Sequence, residues 1–208
     1  MYIKLMGTKE RKAKEKVELK DLILQAAKEV FAERGYQNTS IRTIADRIEY
    51  SPGTIYLYFK DKDAILHELQ KAGFQVLKSK FMVLLTVEDP FERLKAMGKV
   101  YLGFAKEYPD YYDLMFIINA PMNALEEHEC WLEGQSAFDL LIQVVQQCQQ
   151  QGRFREYDAQ DMAYVIWSSV HGMAALTIRG RCRVISEEKR DSIEDDGLEA
   201  FILLLSKS

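Results

Sequence analysis

The stretch SPGTIYLYFKDK, residues 51–62, gathers two tyrosines and two lysines behind a Ser-Pro-Gly break. A tyrosine hydroxyl reaches phosphate oxygen while its ring lies on a sugar or a thymine methyl, and an ammonium group neutralises phosphate. Tyr56, Tyr58, Lys60 and Lys62 therefore point to nucleic-acid contact. Catalytic chemistry has less to stand on. His67, His128 and His171 fall in separate regions, and His128-x-Cys130 is the only close pairing of metal-ligand types. One pair does not make a metal site. No glycine-rich phosphate loop or nucleophile elbow occurs. Neither enzyme activity, metal nor cofactor is expected. Cys182, between Arg181 and Arg183, is the candidate reactive thiol, and a thiol-responsive DNA-binding protein is one alternative reading. Cys148 lies on an apolar stripe and reads as a buried hydrophobe.

The elements that must position these groups are helical. Helical periodicity runs through almost the whole of the 208 residues, and no segment shows clean strand alternation. The fold class is all-α, with about nine helices. The first runs from Val17 to Arg34 and ends at Gly35. The second, Ile41 to Ile48, is apolar at Ile41, Ile44, Ala45 and Ile48, with Ser40 placed to cap it. A third begins at Pro52 and a fourth follows an Asp61 cap. Pro90 and Pro109 open two more. A seventh spans Glu129 to Gln150, with Trp131 inward and Pro121 as a break before it. The eighth, Asp158 to Ile178, is apolar round most of its circumference, so it is expected to pack on both sides. The ninth starts near Ser186 and ends in GLEAFILLL.

Charge divides the chain. Residues 1–62 hold 13 Lys/Arg against 9 Asp/Glu, while the remainder holds 15 against 23. A basic working end on an acidic body follows. With 48% hydrophobic residues the chain can bury a sizeable core. No window has the roughly 18 apolar residues of a spanning helix, and the N-terminus has no apolar signal core. Three scattered cysteines fit a reducing cytoplasm, with no membrane partner expected.

A helix, a tight turn and a short second helix packed on a longer one form a helix-turn-helix arrangement, whose second helix enters the major groove. On a helix from Pro52, Ile55 and Phe59 face the core. Pro52, Gly53, Thr54 and Tyr56 face outward, and Gly53 lets another backbone approach. A plain helical hairpin that serves as an interaction module without operator binding is the second alternative.

The stretch ILQAAKEVFAERGYQNTSIRTIADRIEYSPGTIYLYFKDKDAIL resembles the DNA-binding domain of TetR-family transcriptional regulators. The matching features are A-x-x-x-F-x-x-x-G-Y, Thr39-Ser40, Ile44-Ala45, Ser51-x-Gly53-Thr54-Ile55-Tyr56-x-Tyr58-Phe59, and Lys62 with Leu66. The resemblance departs in the turn. The family usually has a small residue, Gly and Val where this chain has Ile48, Glu49 and Tyr50. Glu49 must adopt the left-handed conformation at a cost or reshape the turn. More weakly, YPDYYDLMF and IWSSVHGMAAL resemble a ligand-binding subdivision marked by Trp167, His171 and Gly172.

The resemblance implies a basic arm at 1–16, a DNA-binding domain at 17–62 and a ligand-binding and dimerisation domain at 63–208. It implies a homodimeric repressor on pseudo-palindromic double-stranded operator DNA, released by a small-molecule effector. The implied DNA contacts are Thr39, Ser40, Arg42, Ser51, Pro52, Gly53, Thr54, Tyr56, Tyr58, Lys60 and Lys62. Candidate effector contacts are Tyr101, Tyr111, Tyr112, Met115, Phe116, Trp167 and His171. These residues have two readings, a core or a pocket, and His171 is either a hydrogen-bonded core histidine or a polar anchor. Few buried charges are available, so the effector is expected to be apolar or aromatic. Helices eight and nine are expected to pair with their copies through Ala163, Trp167, Val170, Ala174, Leu198, Phe201, Ile202 and Leu205.

Overall fold

The computed structural model describes residues 7–118 and 132–207. Among them are nine α-helices: α1 Thr8–Arg34, α2 Ile41–Arg47, α3 Pro52–Tyr56, α4 Lys62–Val83, α5 Pro90–Glu107, α6 Pro109–Phe116, α7 Leu132–Gln150, α8 Ala159–Ile178 and α9 Ile193–Leu205. The all-α class stands. Pro121, His128, Cys130 and Trp131 lie outside the described residues.

Local chemistry sets the boundaries. The Ser40 hydroxyl accepts from the Thr43 amide at 3.1 Å, Ser51 from Thr54 at 3.2 Å, and Asp61 from Ala64 at 2.8 Å. Each removes an orphan donor at a helix start. Two boundaries differ from the sequence expectation. α1 begins at Thr8, so residues 8–16 of the basic arm are helical. That stretch has no apolar face. It is made of strong helix formers with Arg11–Glu15 and Lys14–Glu18 pairs one turn apart. α9 begins at Ile193 rather than near Ser186, because two short 3-10 turns at 181–184 and 187–189 take up the connection.

Two cores form. The first joins α1, α2, α3 and the start of α4 through Ile23, Ala27, Phe31, Ile44, Ile55, Phe59, Ile65 and Leu66. The second lies among α4 to α9. α6 belongs to both. Its Leu114 enters the first core, and its Tyr112 and Met115 enter the second. The buried Gln70 amide on α4 donates to the Leu114 carbonyl at 2.7 Å. Gly73 makes the α4–α6 approach possible, since a β-carbon there would sit 2.5 Å from the Met115 sulfur. Arg47 ties α2 to α1 through Glu29 and Glu33.

The turn after α2 resolves the choice at Glu49. Its φ is 59°, in the left-handed region. The Glu49 amide donates to Asp46 carbonyl at 3.4 Å and the Tyr50 amide to Ala45 carbonyl at 3.0 Å, the paired bonds of a Schellman ending. Glycine adopts this conformation without the steric cost that a β-carbon imposes. Glu49→Gly is expected to raise stability by roughly 0.5–1 kcal/mol, the relief exceeding the entropy glycine gains when unfolded. A melting temperature about 2–3 °C higher would register it, and an equal or lower one would contradict it.

Candidate nucleic-acid interface and effector cavity

α3 is anchored from beneath and open above. Ile55 is fully buried and Phe59 nearly so, while Tyr56 is 57% exposed. Pro52 occupies the first helical turn, where its missing N–H costs nothing. The Thr54 hydroxyl meets the Ser51 hydroxyl at 3.0 Å on the same outward edge. At Gly53 an added β-carbon would touch only the Ser51 hydroxyl, at an ordinary 3.6 Å. Nothing inside the fold demands glycine here. Arg42 and Ser40 are exposed at the start of α2, and Lys60 is exposed before α4.

Three expected contacts need correction. Thr39 is 4% exposed and its hydroxyl donates inward to the Gly35 carbonyl at 2.9 Å. Its side chain secures the α1–α2 loop, leaving the outer surface to Ser40. Tyr58 is half-buried against the first core rather than displayed with Tyr56. Lys62 donates to the carbonyls of Tyr36 and Thr39 at 3.1 and 3.2 Å, and its ammonium lies 4.2 Å from the centre of the Tyr36 ring. Two of its three donors are thus spent holding the loop before α2.

A cavity of about 120 Å³ lies in the second core. Its wall includes Phe74 and Leu77 of α4, Met97 and Tyr101 of α5, Phe116 of α6, Ala137, Phe138 and Leu141 of α7, and Ile166 and Trp167 of α8. Among the described residues, none that lines it carries a charge. Its polar groups are already partnered. The Tyr101 hydroxyl meets His171 Nδ1 at 2.9 Å and accepts from Trp167 Nε1 at 3.4 Å, while the Gln135 amide donates to Asp139 at 2.8 Å. The wall thus presents hydrocarbon and aromatic surface.

Of the candidate effector contacts, Tyr101, Phe116 and Trp167 line this cavity. Tyr112, Met115, Tyr111 and His171 stand behind the wall. Tyr112 is fully buried and donates to the His171 carbonyl at 3.2 Å. Met115 fills the space over Gly73, and Tyr111 sits between the two cores under Lys28. Burial lowers the His171 pKa below its ordinary value, keeping the ring neutral. Burial likewise raises the Tyr101 and Tyr112 hydroxyls well above the ordinary phenol range. His171 is a hydrogen-bonded support for Tyr101. The residues missed by sequence reading are Phe74, Leu77, Met97 and Phe138, whose apolar spacing marks an inward face without telling core from cavity wall.

The expected pairing surface also changes. Ala163, Val170, Ala174, Leu198 and Leu205 are buried within this one chain, Phe201 and Ile202 pack against its core, and Trp167 lines the cavity. The apolar residues left open on α8 and α9 are Tyr164, Val165, Leu176, Leu203 and Leu204. Among the thiols, burial pushes Cys148 up to about 11, which suppresses thiolate at neutral pH. Cys182 is half-buried with its sulfur 3.9 Å from the Thr177 hydroxyl. Among the described residues, no group of three or more His, Cys, Asp or Glu is placed to hold a metal ion, and no helix is long and apolar enough to cross a membrane.

This architecture defines a helix-turn-helix protein whose helical body holds an apolar cavity. The family described as bacterial regulatory proteins, tetR family, matches residues 23–69, and the tetracyclin repressor-like C-terminal domain matches residues 94–201, more than half of the chain. The chain belongs to the TetR family of transcriptional regulators. That C-terminal match does not reach the narrower subdivision marked by Trp167, His171 and Gly172. The fatty acid metabolism regulator protein of Bacillus subtilis is 37% identical over 86 residues, which are 41% of this chain and 42% of that relative's length. The chain thus aligns with well under half of that protein. The fatty acid degradation regulator FadR of Bacillus halodurans has a similar fold, with a TM-score of 0.71, 20% identity and 97% of both chains covered. AibR, solved with isovaleryl coenzyme A and operator DNA, superposes at 0.68 with 17% identity, covering 89% of this chain and 97% of its own.

Proposed function

We propose that this chain is a cytoplasmic homodimeric repressor that leaves its operator when an apolar or aromatic group enters the cavity. The observation that carries the coupling is α6. Its Phe116 forms cavity wall, and two residues earlier its Leu114 sits in the core beneath α3. A ligand that displaces Phe116 therefore strains the support of the recognition surface. Gln70 carries the same displacement into α4.

On DNA, Pro52, Gly53, Thr54 and Tyr56 enter the major groove, with Arg42 reaching from α2. Ser40, Ser51 and Lys60 hold phosphates. Residues 7–16 of the basic arm extend the positive surface. The relatives named for fatty acid metabolism, and AibR with its acyl-coenzyme A, favour an acyl group as the occupant of the uncharged cavity. Ligand and operator are linked reciprocally, so a coupling of roughly 1–3 kcal/mol weakens each about 5- to 150-fold when the other is bound. Titrating acyl-coenzyme A thioesters of graded chain length with and without operator tests the reading. Equal affinities in both titrations for every thioester that binds would refute the coupling.

The dimer forms through the open α8 and α9 faces, with Leu203 and Leu204 opposed to their copies. Both are exposed in the single chain, so L203E/L204E leaves its fold intact and puts four unpaired carboxylates into the dimer interface. Sedimentation at micromolar concentration should show dimer for the wild type and monomer for the variant, with operator affinity reduced at least about tenfold. A variant that remains dimeric would place the interface elsewhere.

A further inference from the structure

We infer that the segment joining α8 to α9, residues 179–190, is a second DNA-contacting surface that grips the phosphates at the centre of the operator. The inference rests on the dimeric DNA-binding reading above. The sequence RGRCRVISEEKR holds five basic and two acidic residues within a body, residues 63–208, that is otherwise strongly acidic. Five of that body's 15 basic residues are gathered in these 12 positions. The neighbouring carboxylates are Glu187, Glu188 and Asp191 in the connection and Asp113 on α6.

The segment is braced. Gly180 makes the turn at φ 61°. Arg190 donates to the Ile185 carbonyl at 3.0 Å and the Arg183 carbonyl at 3.3 Å, folding the chain back on itself. Arg179 binds Asp113 at 2.6 Å. These bonds occupy two of the arginines and leave Arg181 and Arg183 exposed on a fixed backbone, beside a Val184 that is 90% exposed.

Its position gives the charge a purpose. Asp113 adjoins Leu114, the residue of α6 that enters the core beneath the recognition helix. The end of α8 that carries this segment is therefore the end nearest the DNA-binding unit. Leu176, one turn before it, lies on the open face assigned to the dimer. In the dimer the two segments flank the dyad on the DNA side, over the base pairs between the half-sites. Like charges brought together there repel unless phosphates lie between them. A phosphate backbone is the partner whose charge and repeat suit paired arginines.

The test uses the full chain and an operator recovered by duplex selection. Each phosphate contact contributes about 0.9 to the slope of log K against log salt. R181A/R183A removes four contacts per dimer, so the slope should become shallower by about 3–4 and binding about tenfold or more weaker. R181K/R183K should retain most of the slope. Uncharged methylphosphonate linkages at the operator centre should weaken the wild type and leave R181A/R183A unaffected. An unchanged slope would overturn the inference. So would equal sensitivity of both proteins to the central methylphosphonates, or a double variant that sediments as monomer. A wild type that binds no duplex would defeat the DNA-binding reading itself. A wild type that binds one with the same salt slope as R181A/R183A would defeat this inference alone.

Discussion

Replacing Gly53 by leucine should abolish operator binding while making the free protein slightly more stable. The two effects have different origins. In the folded chain Gly53 is an exposed helical residue whose added β-carbon meets nothing closer than 3.6 Å. Leucine there gains roughly 0.5–1 kcal/mol of helix propensity. On DNA the same side chain stands where α3 approaches the major groove, and a dimer carries two of them. At about 1.5–3 kcal/mol for each disrupted half-site, affinity falls by at least about 100-fold. Tyr56→Ala removes a contact rather than adding an obstacle, so its loss is smaller and it leaves the fold intact. Gel shift and thermal unfolding of Gly53→Leu decide the matter together. A variant that binds normally would show that α3 does not meet DNA through this face.

The second large effect concerns the cavity. Ala137 lines it from α7, and its replacement by phenylalanine puts a ring into about 120 Å³ of apolar space. A cavity of comparable size holds a benzene-sized molecule, so the new ring competes directly with any acyl or aromatic occupant. Effector affinity should fall about 100-fold or more while operator binding persists, giving a repressor that no longer responds. Overfilling costs typically 1–3 kcal/mol, which thermal unfolding measures separately. A variant that keeps the wild-type response would place the effector outside this cavity.

The parts of this structure that were legible in the sequence are those fixed over a few residues. Ser40 and Asp61 announce helix starts because a short side-chain oxygen can reach only the amides of the following turn. Ile44 and Ile55 announce buried faces because helical spacing leaves them no other side. The Ile48-Glu49-Tyr50 turn offered two outcomes, and the backbone took the left-handed one at Glu49. Long-range facts were not legible in this way. α8 is apolar round most of its circumference, so its pattern could not tell the face buried in this chain from the face left for a partner. Ala163, Val170 and Ala174 went inward, while Tyr164, Val165 and Leu176 stayed open. Tyr112 and Phe116 lie one turn apart on α6, yet only Phe116 reaches the cavity. The Tyr112 hydroxyl is instead held by the ring and carbonyl of His171, 59 residues away. The helical start of α1 was missed for the opposite reason. Residues 9–16 are all exposed, so periodicity had nothing to report.

The most direct test of operator binding is selection of random duplexes by the purified 208-residue chain, followed by affinity measurement across salt concentrations. A homodimeric repressor should enrich a pseudo-palindrome whose half-site centres lie about one DNA turn, about 34–36 Å, or a multiple of it apart. Log K should fall linearly with log salt. Failure to enrich any duplex, or an affinity that does not depend on salt, would contradict the operator-binding role.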